Sequence, residues 1–260
     1  MNADSKTLVT LLLDRSGSMQ SIRDDTVGAI NAWLSELRKT ESEMRFSLVM
    51  FDGYRNGMDL QKIHVAVPIR DVPDLGEDQY EPRGNTPLID AACTTIRAVR
   101  ESLAGRDDEV KVVFAIQTDG FENASRENRW KDLRALVTEC EAQDWQFNFM
   151  GCGIDAYGQG ERMGIKRDKT VSYGRNRAHA MASFEETGKN VREYSDGILM
   201  QAEYSLPQKR RSGDLYDPRI RKEREAARTR TSDQIDGLGW DGEQKTEKQG
   251  KLRRFLSGGP

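Results

Sequence analysis

The sequence predicts an open, doubly wound, mostly parallel α/β sheet with helices on both faces. Two observations predict it. Leu8-Val9-Thr10-Leu11-Leu12-Leu13 and the run from Val110 to Ile116 are nearly continuous apolar stretches, as expected of strands buried on both faces. Between such runs lie segments whose apolar residues recur at three- and four-residue spacing, the pattern of helices with one buried side. Their alternation implies βαβ units, hence a parallel sheet.

Taken in order, residues 8–13 form the first strand, followed by a short Ser/Gly loop. Val27, Ile30, Leu34 and Leu37 then mark one face of a helix. Residues 46–51 are a second strand, and residues 63–67 a third, placed at the sheet edge and closed by Pro68. A polar loop from Asp71 to Asn85 has no element of its own. Thr86-Pro87 opens the next helix with a hydroxyl at the N-cap and proline in the first turn. Leu88, Ala92, Ile96, Val99 and Leu103 are its buried face.

Residues 110–116 are the central strand. Ser125 is expected to cap a helix with Trp130, Leu133, Val137 and Cys140 inward, and residues 145–150 give the next strand. Asp155 caps a short helix ending near Met163-Gly164, residues 170–173 are the last strand, and a long helix is expected from Asn176 to Tyr204. Beyond Pro207 apolar residues become isolated. We therefore divide the chain into a folded domain, residues 1–206, and a charged, largely disordered tail, residues 207–260, with one short helix from Asp217-Pro218 to about Arg228.

Charge supports that division. The net charge of −3 conceals a tail with 14 Lys and Arg against 9 Asp and Glu from Ser205 on, leaving 26 against 34 before it. No apolar run approaches the roughly 20 residues that cross a bilayer, and the first residues lack a signal-peptide layout. Cys93, Cys140 and Cys152 match neither a disulfide framework nor a zinc spacing, so they are read as reduced. The expectation is a soluble, cytoplasmic protein with no membrane association.

In a sheet of this kind ligands bind beyond the carboxyl ends of the strands. Hard-oxygen residues stand at three such places. The first strand runs into Asp14-Arg15-Ser16-Gly17-Ser18, the second helix begins at Thr86, and the central strand ends in Thr118-Asp119-Gly120. Two carboxylates and three hydroxyls suit Mg²⁺ or Mn²⁺, which prefer oxygen ligands and retain water. Neutral hydroxyls leave the cation electrophilic enough to accept one more anionic oxygen from outside, and Gly17 lets the loop fold tightly.

This pattern resembles the metal-ion-dependent adhesion site (MIDAS) of von Willebrand factor A (VWA) domains, Asp-x-Ser-x-Ser with a distant Thr and Asp, and matches all five positions. The resemblance implies that Ser16, Ser18 and Thr86 touch the metal directly and that Asp14 and Asp119 do so through water. It extends to residues 118–127 and 150–156, which look like intracellular bacterial VWA proteins, and covers roughly residues 6–200. It implies a Rossmann-like VWA fold and a non-enzymatic module whose cation takes an acidic side chain of a protein partner. Relatives of that group work in assemblies, often with AAA+ ATPases or in stress-response systems.

Two other classes stay open. A metal-dependent phosphohydrolase would use the cation as a Lewis acid, but the haloacid-dehalogenase type needs a second Asp where Ser16 stands. A nucleic-acid adaptor would act through the basic tail, against which its interleaved acidic residues argue. Asp52 is read as either a turn residue or an acceptor for metal-bound water. Glu122 and Asn123 are read as either ligand contacts or loop polarity. His64 and His179 are surface or packing residues, Cys93 and Cys140 small apolar ones, and Cys152 a strand-end thiol near the rim. Trp240, Leu252, Phe255 and Leu256 are candidate anchors in the tail.

Overall fold

A computed structural model describes residues 6–54, 57–106 and 109–237. Six strands form one sheet: β1 (Lys6–Asp14), β2 (Glu43–Tyr54), β3 (Gly57–Pro68), β4 (Val110–Thr118), β5 (Gln146–Cys152) and β6 (Thr170–Tyr173). Their order is β3-β2-β1-β4-β5-β6. All neighbours are parallel except β2 and β3, an antiparallel hairpin that leaves β3 at the edge. The winding direction reverses between β1 and β4. That reversal opens a crevice at their carboxyl ends, where such sheets take ligands.

The helices are α1 (Arg23–Leu37), α2 (Leu88–Leu103), α3 (Trp130–Glu141), α4 (Ala156–Met163), α5 (Arg177–Ser195), α6 (Leu206–Arg211) and α7 (Pro218–Gly237). Strand side chains alternate between faces, so the sheet separates two apolar layers. Val9, Leu11 and Leu13 join Trp33, Phe46 and Phe184 on the side of α1 and α5. Leu12 joins Phe114, Phe147, Cys93 and Cys140 on the side of α2 and α3. Trp33 meets Phe46 and Phe184 edge-on, with ring centres 5.7 and 6.2 Å apart. Gly188 lets α5 approach this ring, because a Cβ there would lie 2.5 Å from Trp33 Cδ1.

Three expected helix boundaries change. The helix expected to be capped by Ser125 begins at Trp130. Asp90 holds the intervening loop, accepting from the backbone N–H groups of Arg126, Glu127 and Asn128. Thr86 is not the side-chain cap of α2, which starts at Leu88 after Pro87. The helix expected to reach Tyr204 stops at Ser195, where Gly197 turns left-handed with φ 74°.

Residues 207–217, expected in the disordered tail, are folded, and the chain divides into two units between Asp217 and Pro218. The buried groups here are polar. The Lys209 ammonium, fully buried, donates to Arg167 O at 2.6 Å and pairs with Asp217 at 3.0 Å. Asp214 accepts from Tyr157 Oη at 2.5 Å and from Ser172 N at 3.0 Å. The second unit contains α7, longer than the short helix expected there. Trp240, Leu252, Phe255 and Leu256 lie outside the described residues.

Candidate metal centre

Three loops bring the predicted residues together at the β1–β4 crevice. Asp14 ends β1 and is fully buried. Its Oδ1 accepts from Ser16 N at 2.7 Å and its Oδ2 from Thr118 Oγ1 at 2.5 Å. Burial pushes its carboxyl up to about 6, against the hydrogen bonds from Thr118 and Ser16; the charge of Asp119 adds to the rise. Ser16 and Ser18 hydroxyls lie 3.2 Å apart, and Ser18 donates to Asp119 Oδ1 at 2.5 Å. A Cβ on Gly120 would stand 3.4 Å from Thr86 Oγ1 and 3.5 Å from Ser18 Oγ, so both hydroxyls flank one point.

The loops are pinned from behind. Gly17 N donates to Gly84 O at 3.0 Å, tying the serine loop to the segment that carries Thr86. Tyr80 Oη donates to Asp14 O at 2.6 Å, and the neighbouring Asp14 and Asp119 add to the burial that raises this phenol well above its usual range. Arg15, between Asp14 and Ser16, turns away from the crevice and pairs with buried Asp52 at 2.5 Å and with Asp59 at 3.0 Å. Arg83 reaches the same two carboxylates at 3.3 and 2.6 Å. Asp52 thus belongs to an ion-pair network, which neither reading of it anticipated.

Glu122 and Asn123 build the loop. Asn123 Oδ1 accepts from Thr86 N at 2.9 Å, and its own N donates to Thr86 O at 3.1 Å. Glu122 accepts from the backbone N–H groups of Ile89, Ala124 and Ser125, all within 2.9 Å. Together they set the height of Thr86 above the sheet. Asp155 caps α4, accepting from Tyr157 N and Gly158 N. Cys93, Cys140 and Cys152 are free thiols. Cys152 is buried, which raises its thiol to about 11 and argues against reactivity. His64 lies on the edge strand β3 and His179 in the first turn of α5.

Three contributors were missed in the sequence. Thr118 bonds Asp14, Tyr80 bonds the Asp14 carbonyl, and Arg175 Nη2 donates to Asp119 Oδ2 at 3.1 Å. Arg175 follows the carboxyl end of β6 by two residues, so the strand-end rule that found the other loops applies to it too.

The donor set fits a hard divalent cation. Five side chains offer oxygen alone, two of them carboxylates; the Ser16 and Ser18 hydroxyls lie within hydrogen-bond distance of each other, and Ser18 of Asp119. Among the described residues no group of three or more His, Cys, Asp or Glu gathers as a metal cluster. Such oxygen donors suit a hard divalent cation.

No family model matches the chain, and no curated protein matches it. Solved structures do. A von Willebrand factor type A protein from Catenulispora acidiphila is similar over 74% of this chain and 43% of its own, with 14% identity and a TM-score of 0.52. The minor pilin PilB of Streptococcus sanguinis is similar over 76% and 64%, with 12% identity and a TM-score of 0.52. Proximal thread matrix protein 1 of the mussel byssus, in a structure with a zinc-occupied MIDAS motif, is similar over 75% and 49%, with 13% identity and a TM-score of 0.51. The chain thus spans about half the length of the first structures it matches. It has the VWA fold, a six-stranded and mostly parallel sheet between helices. Among the described residues no helix is long and apolar enough to cross a membrane.

Proposed function

We propose that this chain is a cation-dependent protein-interaction module. Asp14, Ser16, Ser18, Thr86 and Asp119 hold one Mg²⁺ or Mn²⁺, and an acidic side chain of a partner protein completes its coordination. The observation that carries this reading is the convergence of three hydroxyls and two buried carboxylates from three loops on one crevice. The bound cation supplies an electrophilic centre for an incoming carboxylate oxygen. The chain's residues do the rest. Ser18 and Asp119 hold each other across the site, Thr118 and Ser16 N orient the Asp14 carboxylate, and Asn123 fixes Thr86. Phe121, two residues beyond Asp119 and 60% exposed, offers an apolar contact at the rim.

In this reading the cation binds and turns nothing over. The module works in the cytoplasm of a bacterium, within an assembly in which an AAA+ ATPase or another stress-response component is the partner to seek first. The resemblance of residues 118–127 and 150–156 to intracellular bacterial VWA proteins supports that setting. The zinc-occupied motif in the mussel protein supports a divalent ion in a fold of this kind. In this reading the module is the unit that ends at Asp217, and the charged segment from Pro218 on forms a second unit.

The test is capture of partners from a bacterial lysate with Mg²⁺ or with EDTA, comparing wild type with Asp14→Ala. A protein retained only by wild type with Mg²⁺ supports metal-bridged recognition. Identical partners in all four conditions would reject it.

A further inference from the structure

The Arg175 guanidinium stands at the candidate metal centre without being one of its five oxygen donors. Its Nη2 donates to Asp119 Oδ2 at 3.1 Å, while Ser18 occupies Asp119 Oδ1 on the other side of the same carboxylate. Asp119 is fully buried, whereas the Arg175 side chain is 46% exposed. Among the described residues its Nε and Nη1 have no hydrogen-bond partner. The stem is seated on Gly153, which has φ 64°. A Cβ there would lie 2.5 to 2.8 Å from Nε, Cγ and Cδ, so an alanine would displace the arginine.

Charge decides what such a residue does. Asp14 and Asp119 together neutralise a divalent cation. Arg15 and Arg83 are balanced by Asp52 and Asp59 in the adjoining network. Glu122 points away from the crevice, its carboxylate bound to backbone N–H groups. Arg175 is thus the cation in direct contact with a carboxylate of the site, with nearly half of its side chain open to solvent. A guanidinium presents a planar fork that matches the two oxygens of a carboxylate, which a carbonyl or hydroxyl ligand cannot satisfy.

We infer that Arg175 is a second recognition point for the partner's acidic side chain, so that one carboxylate oxygen meets the cation and the other meets the arginine. The inference rests on the proposed cation site and adds to it a requirement for a full carboxylate. Arg175 acts oppositely on metal and ligand. It repels the incoming cation through Asp119 and attracts the anion that follows.

The full-length chain with Mn²⁺ tests this. Electron paramagnetic resonance of free Mn²⁺ reads metal binding, and ¹⁹F relaxation of fluoroacetate reads anion binding at the bound metal, with fluoroacetamide as the uncharged control. Arg175→Gln is expected to bind Mn²⁺ as tightly as wild type or more so, and to bind fluoroacetate about tenfold or more weakly. Gly153→Ala, which keeps the charge but moves it, is expected to weaken fluoroacetate without weakening Mn²⁺. Fluoroacetamide is expected to respond alike in all three proteins. Unchanged fluoroacetate binding in Arg175→Gln would overturn the inference and leave the cation site standing. Loss of Mn²⁺ binding in that variant would also overturn it, making Arg175 a positioning residue for Asp119. Wild type that binds no Mn²⁺ would refute the cation site, and this inference with it.

Discussion

Asp90→Ala is expected to destabilise the fold and to loosen the metal-site loop at the same time. Asp90 lies in the first turn of α2 and is 4% exposed. Its Oδ2 accepts from Arg126 N at 2.6 Å and Glu127 N at 3.2 Å, and its Oδ1 from Asn128 N at 2.7 Å and Asn128 Nδ2 at 2.9 Å. Hydrogen bonds to a charged acceptor contribute about 1.5–3 kcal/mol each. Arg126 and Glu127 are open to solvent, so water replaces part of that set in the variant. Asn128 is buried and its donors are not so easily rehydrated. We expect a net loss of about 3–4 kcal/mol by urea denaturation. The loop so released carries Glu122 and Asn123, which hold Thr86, so Mn²⁺ affinity should fall as well. Burial works against the Asp90 charge, but the hydrogen bonds outweigh it and hold the carboxyl below its ordinary 3.8. A carboxyl depressed on folding stabilises above its unfolded value and loses that stabilisation as pH falls through the folded one. The gap between wild type and variant should thus be constant near neutrality and shrink below about pH 4. A variant within about 1 kcal/mol of wild type at pH 7 would refute the reasoning, as would a gap that persists undiminished at pH 3.

Three further perturbations read other parts of the structure. Gly188→Ala places a methyl 2.5 Å from Trp33 Cδ1 and 2.8 Å from Glu36 Cβ, so α1 and α5 must separate. Overpacking of this kind costs about 1–3 kcal/mol, and a lowered melting temperature with altered tryptophan emission would show it. Arg15→Met removes the main partner of buried Asp52, whose Oδ1 already has no hydrogen bond. A loss of about 3–5 kcal/mol is expected, and Arg15→Met with Asp52→Leu should recover part of it in a denaturation cycle. Lys209→Met removes the buried cation that faces Asp217, and a loss of a few kcal/mol is expected. A chain ending at residue 217 should accordingly melt close to the full chain and one ending at residue 206 well below it, as calorimetry would report.

What the sequence conveyed and what it withheld divide along physical lines. Strands buried on both faces advertise themselves by apolar runs, and residues 8–13 and 110–116 fall within β1 and β4. The edge position of β3 and its closure at Pro68 were expected, although the strand begins at Gly57, well before residue 63. The end of α5 was misread because Ala202 and Tyr204 are buried and continue the apolar spacing, although Gly197 carried the stop signal. Residues 207–217 were misassigned for a deeper reason. Their buried groups are Lys209, Ser212, Asp214 and Asp217, and composition cannot distinguish a charge paired in the interior from one solvated outside.

The candidate site shows the same division at finer scale. Asp14, Ser16, Ser18, Thr86 and Asp119 could be named because each stands at a strand or helix end, where local pattern and topology suffice to bring loops together. Tyr80 could not, since it reaches the site only through a contact across 66 residues, whereas Thr118 and Arg175 stand at or just beyond strand ends and lacked only an oxygen-donor motif to single them out. Arg15 makes the point most sharply. In the motif it is a filler between two named residues, yet its buried side chain pairs with buried Asp52 and with the more exposed Asp59, which Arg83 also reaches, and so fixes the loop from which Asp14 and Ser16 face the crevice. Such residues decide whether five oxygens are held ready for a cation or merely lie near one another, because a donor set is only as well ordered as the groups that hold it.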